Sequence, residues 1–237
     1  MTSTTPREAA PPAGTAADGT ASTCPAPAVH PAARQPGAPD HVRMGVGARF
    51  TLHPAADEFV PVILGALAAA RAAAPDVEVR TDDVSSLLRG PEQQIAEFLR
   101  AAITAAAAAT PSGHVVATLA FSRGCPGEVG CDLPAGELVE VAPVDLDPTG
   151  VAAAAHWALY PLGTTDAMGP IAEAIGLAQK AGTWGGPENF ATRLDGDLSQ
   201  VLGTLVDTWT VVGRRVAHVA AHATVSVGSP TAAERAR

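Results

Sequence analysis

A chain of 237 residues is long enough for one or two domains that bury a core without disulfides. With 15 basic against 24 acidic residues and a formal net charge of −9, it lacks the cationic footprint that a phosphate backbone requires, which excludes nucleic acid as a partner. Cys24, Cys125 and Cys131 are odd in number and stand at no metal-ligand spacing, so no disulfide framework and no metal site are expected, and a reducing cytoplasm fits.

Residues 1–42 are rich in Pro, Ala, Thr and Gly, without apolar periodicity, and read as a disordered tail. They lack the basic start and apolar block of a signal peptide. Residues 48–53 then alternate as a strand that Pro54 closes. Phe59, Val62, Ile63, Ala66 and Leu67 recur at three and four, the spacing of a helix, with Asp57 placed to cap it. Short strands follow near 77–80 and over 83–89, where Gly90 ends the run. A second helix covers 92–109; its Ala-rich stretch carries Ile95, Phe98, Leu99 and Ile103 on one stripe, so it is amphipathic and spans no membrane. A last strand fills 114–123.

The whole order then recurs. Arg49–Pro54 matches His156–Pro161, Ser86–Gly90 matches Thr192–Gly196, and His114–Pro126 matches His218–Pro230 at nearly constant spacing. The helix of the copy starts after Asp166 and carries Met168, Ile171, Ala172 and Ile175. Its strands fall at Thr183–Trp184, 189–195 and 217–227, and its second helix at 198–213. The organisation is therefore a repeat at 43–127, a Gly/Pro/Asp-rich linker at 128–154, a second repeat at 155–230 and a C-terminal tail at 231–237. The order βαββαβ, twice, is that of tandem ferredoxin-like units, an α+β architecture with two four-stranded antiparallel sheets.

In such a unit the first and third strands are neighbours, and alternation places Phe50 and Leu52 on one face with Val84, Ser86 and Leu88. The copy places Trp157 and Leu159 with Phe190, Thr192 and Leu194. Each apolar face thus carries one hydroxyl, Ser86 or Thr192. A buried hydroxyl needs a partner, either a backbone carbonyl or a ligand held between sheet and helices. The neighbouring aromatic residues suit a core, and equally a flat heteroaromatic ligand. Asp82, with Glu188 as its counterpart, meets a cation or faces solvent. His114 and His218 have no second metal ligand at suitable spacing, and Cys125 aligns with Ser229, so a nucleophile there would lack a counterpart.

The segments Gly47–Pro54, Thr81–Gly90 and Phe121–Gly127 resemble the YkoF-like thiamine and hydroxymethylpyrimidine binding proteins, as do Ala158–Pro161, Met168–Gly169, Ala172–Ala174 and Leu194–Asp197. His53 stands where that family tends to carry Tyr. The resemblance implies tandem ferredoxin-like (ACT-like) units in a dimeric, cytoplasmic, non-enzymatic protein, with one site per repeat for thiamine or its pyrimidine, and a role in vitamin uptake or salvage. No separate cofactor is expected. The ligand-binding residues expected are Phe50, Leu52, Asp82 and Ser86, and Trp157, Leu159, Phe190 and Thr192. Two other functions stay open: a thiamine-salvage hydrolase, which would need an activated nucleophile or metal-bound water, and a regulatory module sensing another metabolite.

Overall fold

In a computed structural model, which describes residues 37–129 and 142–231, the periodicities resolve into two copies of one element order. The first holds a one-turn helix α1 (Asp40–Arg43), strand β1 (Gly47–Pro54), helix α2 (Phe59–Ala73), strands β2 (Glu78–Thr81) and β3 (Ser86–Arg89), helix α3 (Glu92–Ala109), strand β4 (Val115–Arg123) and a one-turn helix α4 (Pro126–Val129). The second holds β5 (Ala152–Leu162), α5 (Met168–Lys180), β6 (Trp184–Glu188), β7 (Ala191–Asp197), α6 (Leu198–Gly213) and β8 (His218–Val227). Helix α1 begins within the stretch expected as tail and ends one residue beyond it; residues 1–36 of that stretch lie outside the described residues. Strand β5 starts within the stretch expected as linker.

The expectation of two separate four-stranded sheets is corrected. There is one eight-stranded sheet, in the order β2-β3-β1-β4-β8-β5-β7-β6, with antiparallel neighbours throughout. The join is β4 against β8, in register from Val115↔Val227 to Arg123↔Val219. Both strands would otherwise be open edges, and neither carries a charge or proline between its ends to blunt pairing; joined, they satisfy each other's backbone groups. The free edges carry that protection instead, with Glu78 and Arg80 on β2, and Pro187 and an irregular register at Gly186 on β6.

Helices pack on the face bearing Ala48, Phe50, Leu52, Ala117, Leu119, Ala155, Trp157 and Leu159, all buried. The opposite face presents Arg49, His53, Ala120, His156, Tyr160 and His222 to solvent. The core is continuous across the join: the Phe121 ring of β4 lies 5.3 Å from that of Trp209 on α6. At the same seam Arg123 donates to Glu92 Oε1 at 2.7 Å, both residues being buried. Gly213 makes room for this arginine, since a Cβ there would sit 2.5 Å from Arg123 Cδ. His114 and His218 also serve the seam, His114 Nδ1 lying 3.0 Å from the Val227 carbonyl and His218 Nε2 lying 3.4 Å from Ser122 Oγ.

Helix starts differ in how they are fastened. Asp57 does not cap α2, whose N-cap is Glu58 with no side-chain bond. Asp166 Oδ1 accepts the Gly169 amide at 2.9 Å. Asp197 forms a capping box with Gln200 at α6 and also accepts the amides of Thr149 and Gly150, which ties the chain entering β5 to the start of α6.

Candidate ligand cavity

The aromatic and hydroxyl side chains expected on one face are direct cross-strand partners in both units. Phe50 stands opposite Ser86 across β1 and β3, and Trp157 stands opposite Thr192 across β5 and β7. The surroundings of the two pairs differ.

In the first unit the space is filled by the protein itself. Phe50 is 3% exposed and meets Phe98 of α3 edge to face, with ring centroids 5.8 Å apart. Ser86 Oγ lies 2.8 Å from the Thr81 hydroxyl, so its partner is a cross-strand side chain, neither a backbone carbonyl nor an open cavity. Leu52 is buried in the same core.

In the second unit the position equivalent to Phe98 is Thr204, whose hydroxyl lies 3.0 Å from that of Thr183. Trp157 consequently has no ring partner among the described residues. It is 2% exposed, and its indole N–H has no hydrogen-bond partner. Its nitrogen is enclosed by protein, as is the equally unpaired indole nitrogen of Trp209 in the core. Other atoms of Trp157, with Ala158 and Tyr160 beside it, line a depression of about 520 Å³ next to α5. Leu159 and Thr192 continue its sheet wall, Ile171 and Ile175 of α5 form the facing wall, and Glu188 and Phe190 stand at the β6–β7 turn. That volume is within the usual range for small-molecule pockets, and the walls combine apolar surface with few polar groups.

The structure thus brings Trp157, Leu159, Phe190 and Thr192 together around one space, and packs Phe50, Leu52 and Ser86 together in the core of the other unit. Phe190 does not lie on the apolar face of a strand. Glu188 pairs with Ala191, which makes Asn189–Phe190 a two-residue turn, and Phe190 sits there at φ 70° with its side chain fully exposed. Val84, expected on the first unit's apolar face, is likewise an exposed turn residue.

Asp82 stands apart from both spaces. Its Oδ1 accepts the amides of Val84 and Ser85 at 2.9 and 2.8 Å, and its Oδ2 accepts from Arg49 at 3.0 Å. The Ser85 and Val84 amides, with Arg49, hold its carboxyl down to about 2. The sequence reading assigned Ile171 and Ile175 to a helical stripe without seeing that both remain half-buried and face the cavity.

Among the described residues no group of three or more His, Cys, Asp or Glu is placed to hold a metal, and no helix is long and apolar enough to cross a membrane. Cys125 is a free, half-buried thiol. It lines a second depression, of about 390 Å³, on the solvent face of the sheet with Arg49, Arg89, Tyr160 and His222.

Fold and cavity together define a duplicated βαββαβ protein in which one sheet runs through both units and one helix layer leaves a ligand-sized space. The chain belongs to the YkoF-related family, whose model matches residues 45–128 and 152–232. The two matched segments follow the two structural units. A protein of Bacillus subtilis (strain 168) named "Putative HMP/thiamine-binding protein YkoF" is 31% identical over 191 residues, which are 80% of this chain and 93% of that protein.

Proposed function

We propose that this chain binds thiamine or its hydroxymethylpyrimidine moiety without transforming it, one molecule per unit, and serves uptake or salvage of the vitamin in the cytoplasm. The observation that carries this reading is the cavity lined by Leu159, Thr192, Ile171 and Ile175, in a chain similar to a protein named for that ligand. An aminopyrimidine is flat, with ring acceptors and an exocyclic donor, and suits apolar walls that include the Thr192 side chain. The thiazolium of thiamine is cationic, and the net charge of −9 favours its approach.

Each half, ordered β2-β3-β1-β4 or β6-β7-β5-β8, fits a ferredoxin-like, ACT-like unit. Binding is favoured over catalysis because the thiol of Cys125 has no counterpart in the copy, where Ser229 stands. A second copy of the chain is the occupant we assign to the solvent face of the sheet, where Tyr160 and His222 flank small residues; sedimentation of the full chain as a monomer would contradict that.

Calorimetric titration with thiamine, hydroxymethylpyrimidine and thiamine diphosphate in turn tests the ligand. Saturation near two molecules per chain is expected, in two phases, the weaker at the first unit, where Phe50 must part from Phe98 before a ring can enter. Absence of heat with all three overturns the reading.

A further inference from the structure

Helix α2 is apolar all round. From Phe59 to Ala70 no residue carries a charged or polar side chain, a composition proper to a helix enclosed on every side. Yet only one side is enclosed. Val62, Ala66 and Ala70 are buried where the helix packs on α3 and β1, whereas Val60, Pro61, Leu64, Gly65 and Ala68 are exposed, Leu64 by 62%. The counterpart helix α5 carries Glu173, Gln179 and Lys180, which suit contact with water. An apolar stripe left open on one helix and absent from its copy marks a contact surface.

The charges at the two ends of the stripe indicate what covers it. Asp57 and Glu58 stand before the first turn and Arg71 in the last, all three exposed and without an ion pair among the described residues. Glu58 and Arg71 are about 20 Å apart along the helix axis. A second α2 laid antiparallel on the first sets each acidic end beside the other's Arg71, whereas a parallel one would set like charges together. We propose that the open face of α2 is a contact surface for a second copy of this chain, paired antiparallel about a two-fold axis beside Leu64 and Gly65. Gly65 gives Leu64 of the other copy a seat, since a Cβ placed there would meet nothing within 4 Å, and Pro61 lies over Ala68. This surface is on the helix layer, on the side of the molecule opposite the sheet face assigned above, so a chain using both faces assembles as pairs of pairs. One helix face is a small interface, and the association is expected to depend on concentration.

Sedimentation velocity of the full chain over a concentration series tests this, as wild type, Leu64→Glu, Arg71→Glu and a charge-exchanged form in which Asp57→Arg and Glu58→Arg accompany Arg71→Glu. Leu64→Glu places a charge at the axis and is expected to raise the concentration for half-assembly at this contact about tenfold or more. Arg71→Glu is expected to raise it about tenfold as well, because a symmetric contact meets the repulsion twice. The charge-exchanged form is expected to assemble as wild type does, a rescue that an arginine serving only its own helix would not allow. Leu64 and Arg71 are both exposed, so each single variant is expected to melt within a few degrees of wild type; should Leu64→Glu fail to fold, the two Arg71 forms decide alone. A wild type that stays monomeric at every concentration overturns the proposal, and so does an assembly that the single variants leave unchanged, which would rest on the sheet face alone. Loss of assembly in Arg71→Glu without recovery in the charge-exchanged form overturns it too.

Discussion

Arg123, at the end of β4, donates to Glu92, the first residue of α3, at 2.7 Å, and the two side chains are only 4% and 8% exposed. The pair lies where the units meet, beside the backbone of Gly213. A buried ion pair contributes little compared with an apolar substitute, yet breaking it is expensive, since the remaining charge stays in a medium that solvates it poorly. Glu92→Gln should cost about 3–5 kcal/mol in urea unfolding. A loss under about 1 kcal/mol would mean that Arg123 finds water or another partner.

Asp197 links three segments through one carboxylate. Burial alone would push its carboxyl up, and the bonds from Ser199, Thr149 and Gly150 bring it below the ordinary value. Asp197→Ala should cost about 1–2 kcal/mol, the range for a helix N-cap, and Asp197→Asn much less, because an amide oxygen can still accept. Equal losses in the two variants, measured by denaturant unfolding, would contradict the capping account.

Asp82 gives a pH-dependent test. Its carboxyl is held at about 2 in the folded chain against 3.8 ordinarily, so its contribution is complete above 3.8 and is lost as pH falls toward 2. Asp82→Asn retains an acceptor for the Val84 and Ser85 amides but cannot titrate. Its stability should therefore decline less steeply than wild type over that acid range. Identical slopes would show that the turn and Arg49 leave this carboxyl unperturbed.

The duplicated element order was legible because it rests on local periodicity, and alternation within that order placed Phe50 on one face with Ser86 and Trp157 on one face with Thr192, while their direct pairing is seen only in the structure. The join of β4 to β8 was not read, since alternation fixes a strand's faces and says nothing of its edges. The signal was the uncharged run Val115–Ser122, which is a poor free edge. Phe190 was misplaced for a similar reason: the alternating pattern runs through the turn as if it were strand, and only Asn189, a residue suited to positive φ, hints at the two-residue loop. The difference between the two units came from Phe98 against Thr204, a contact between helix and sheet that no periodicity encodes.

The hydroxyls themselves separate fold from ligand. Ser86 is bonded to Thr81, so Ser86→Ala should lower stability by about 1 kcal/mol and leave pyrimidine titration unchanged. Thr192 lines the cavity, so Thr192→Val should leave melting nearly unchanged and weaken one binding phase about tenfold. The reverse pattern would place the ligand in the first unit.

The most direct measurement is a crystal structure of the chain grown with hydroxymethylpyrimidine. The account predicts density for the ring between Leu159 and Thr192 of the sheet and the α5 residues Ile171 and Ile175. Density confined to the solvent face around Arg49 and Arg89, with the cavity beside α5 empty, would contradict it.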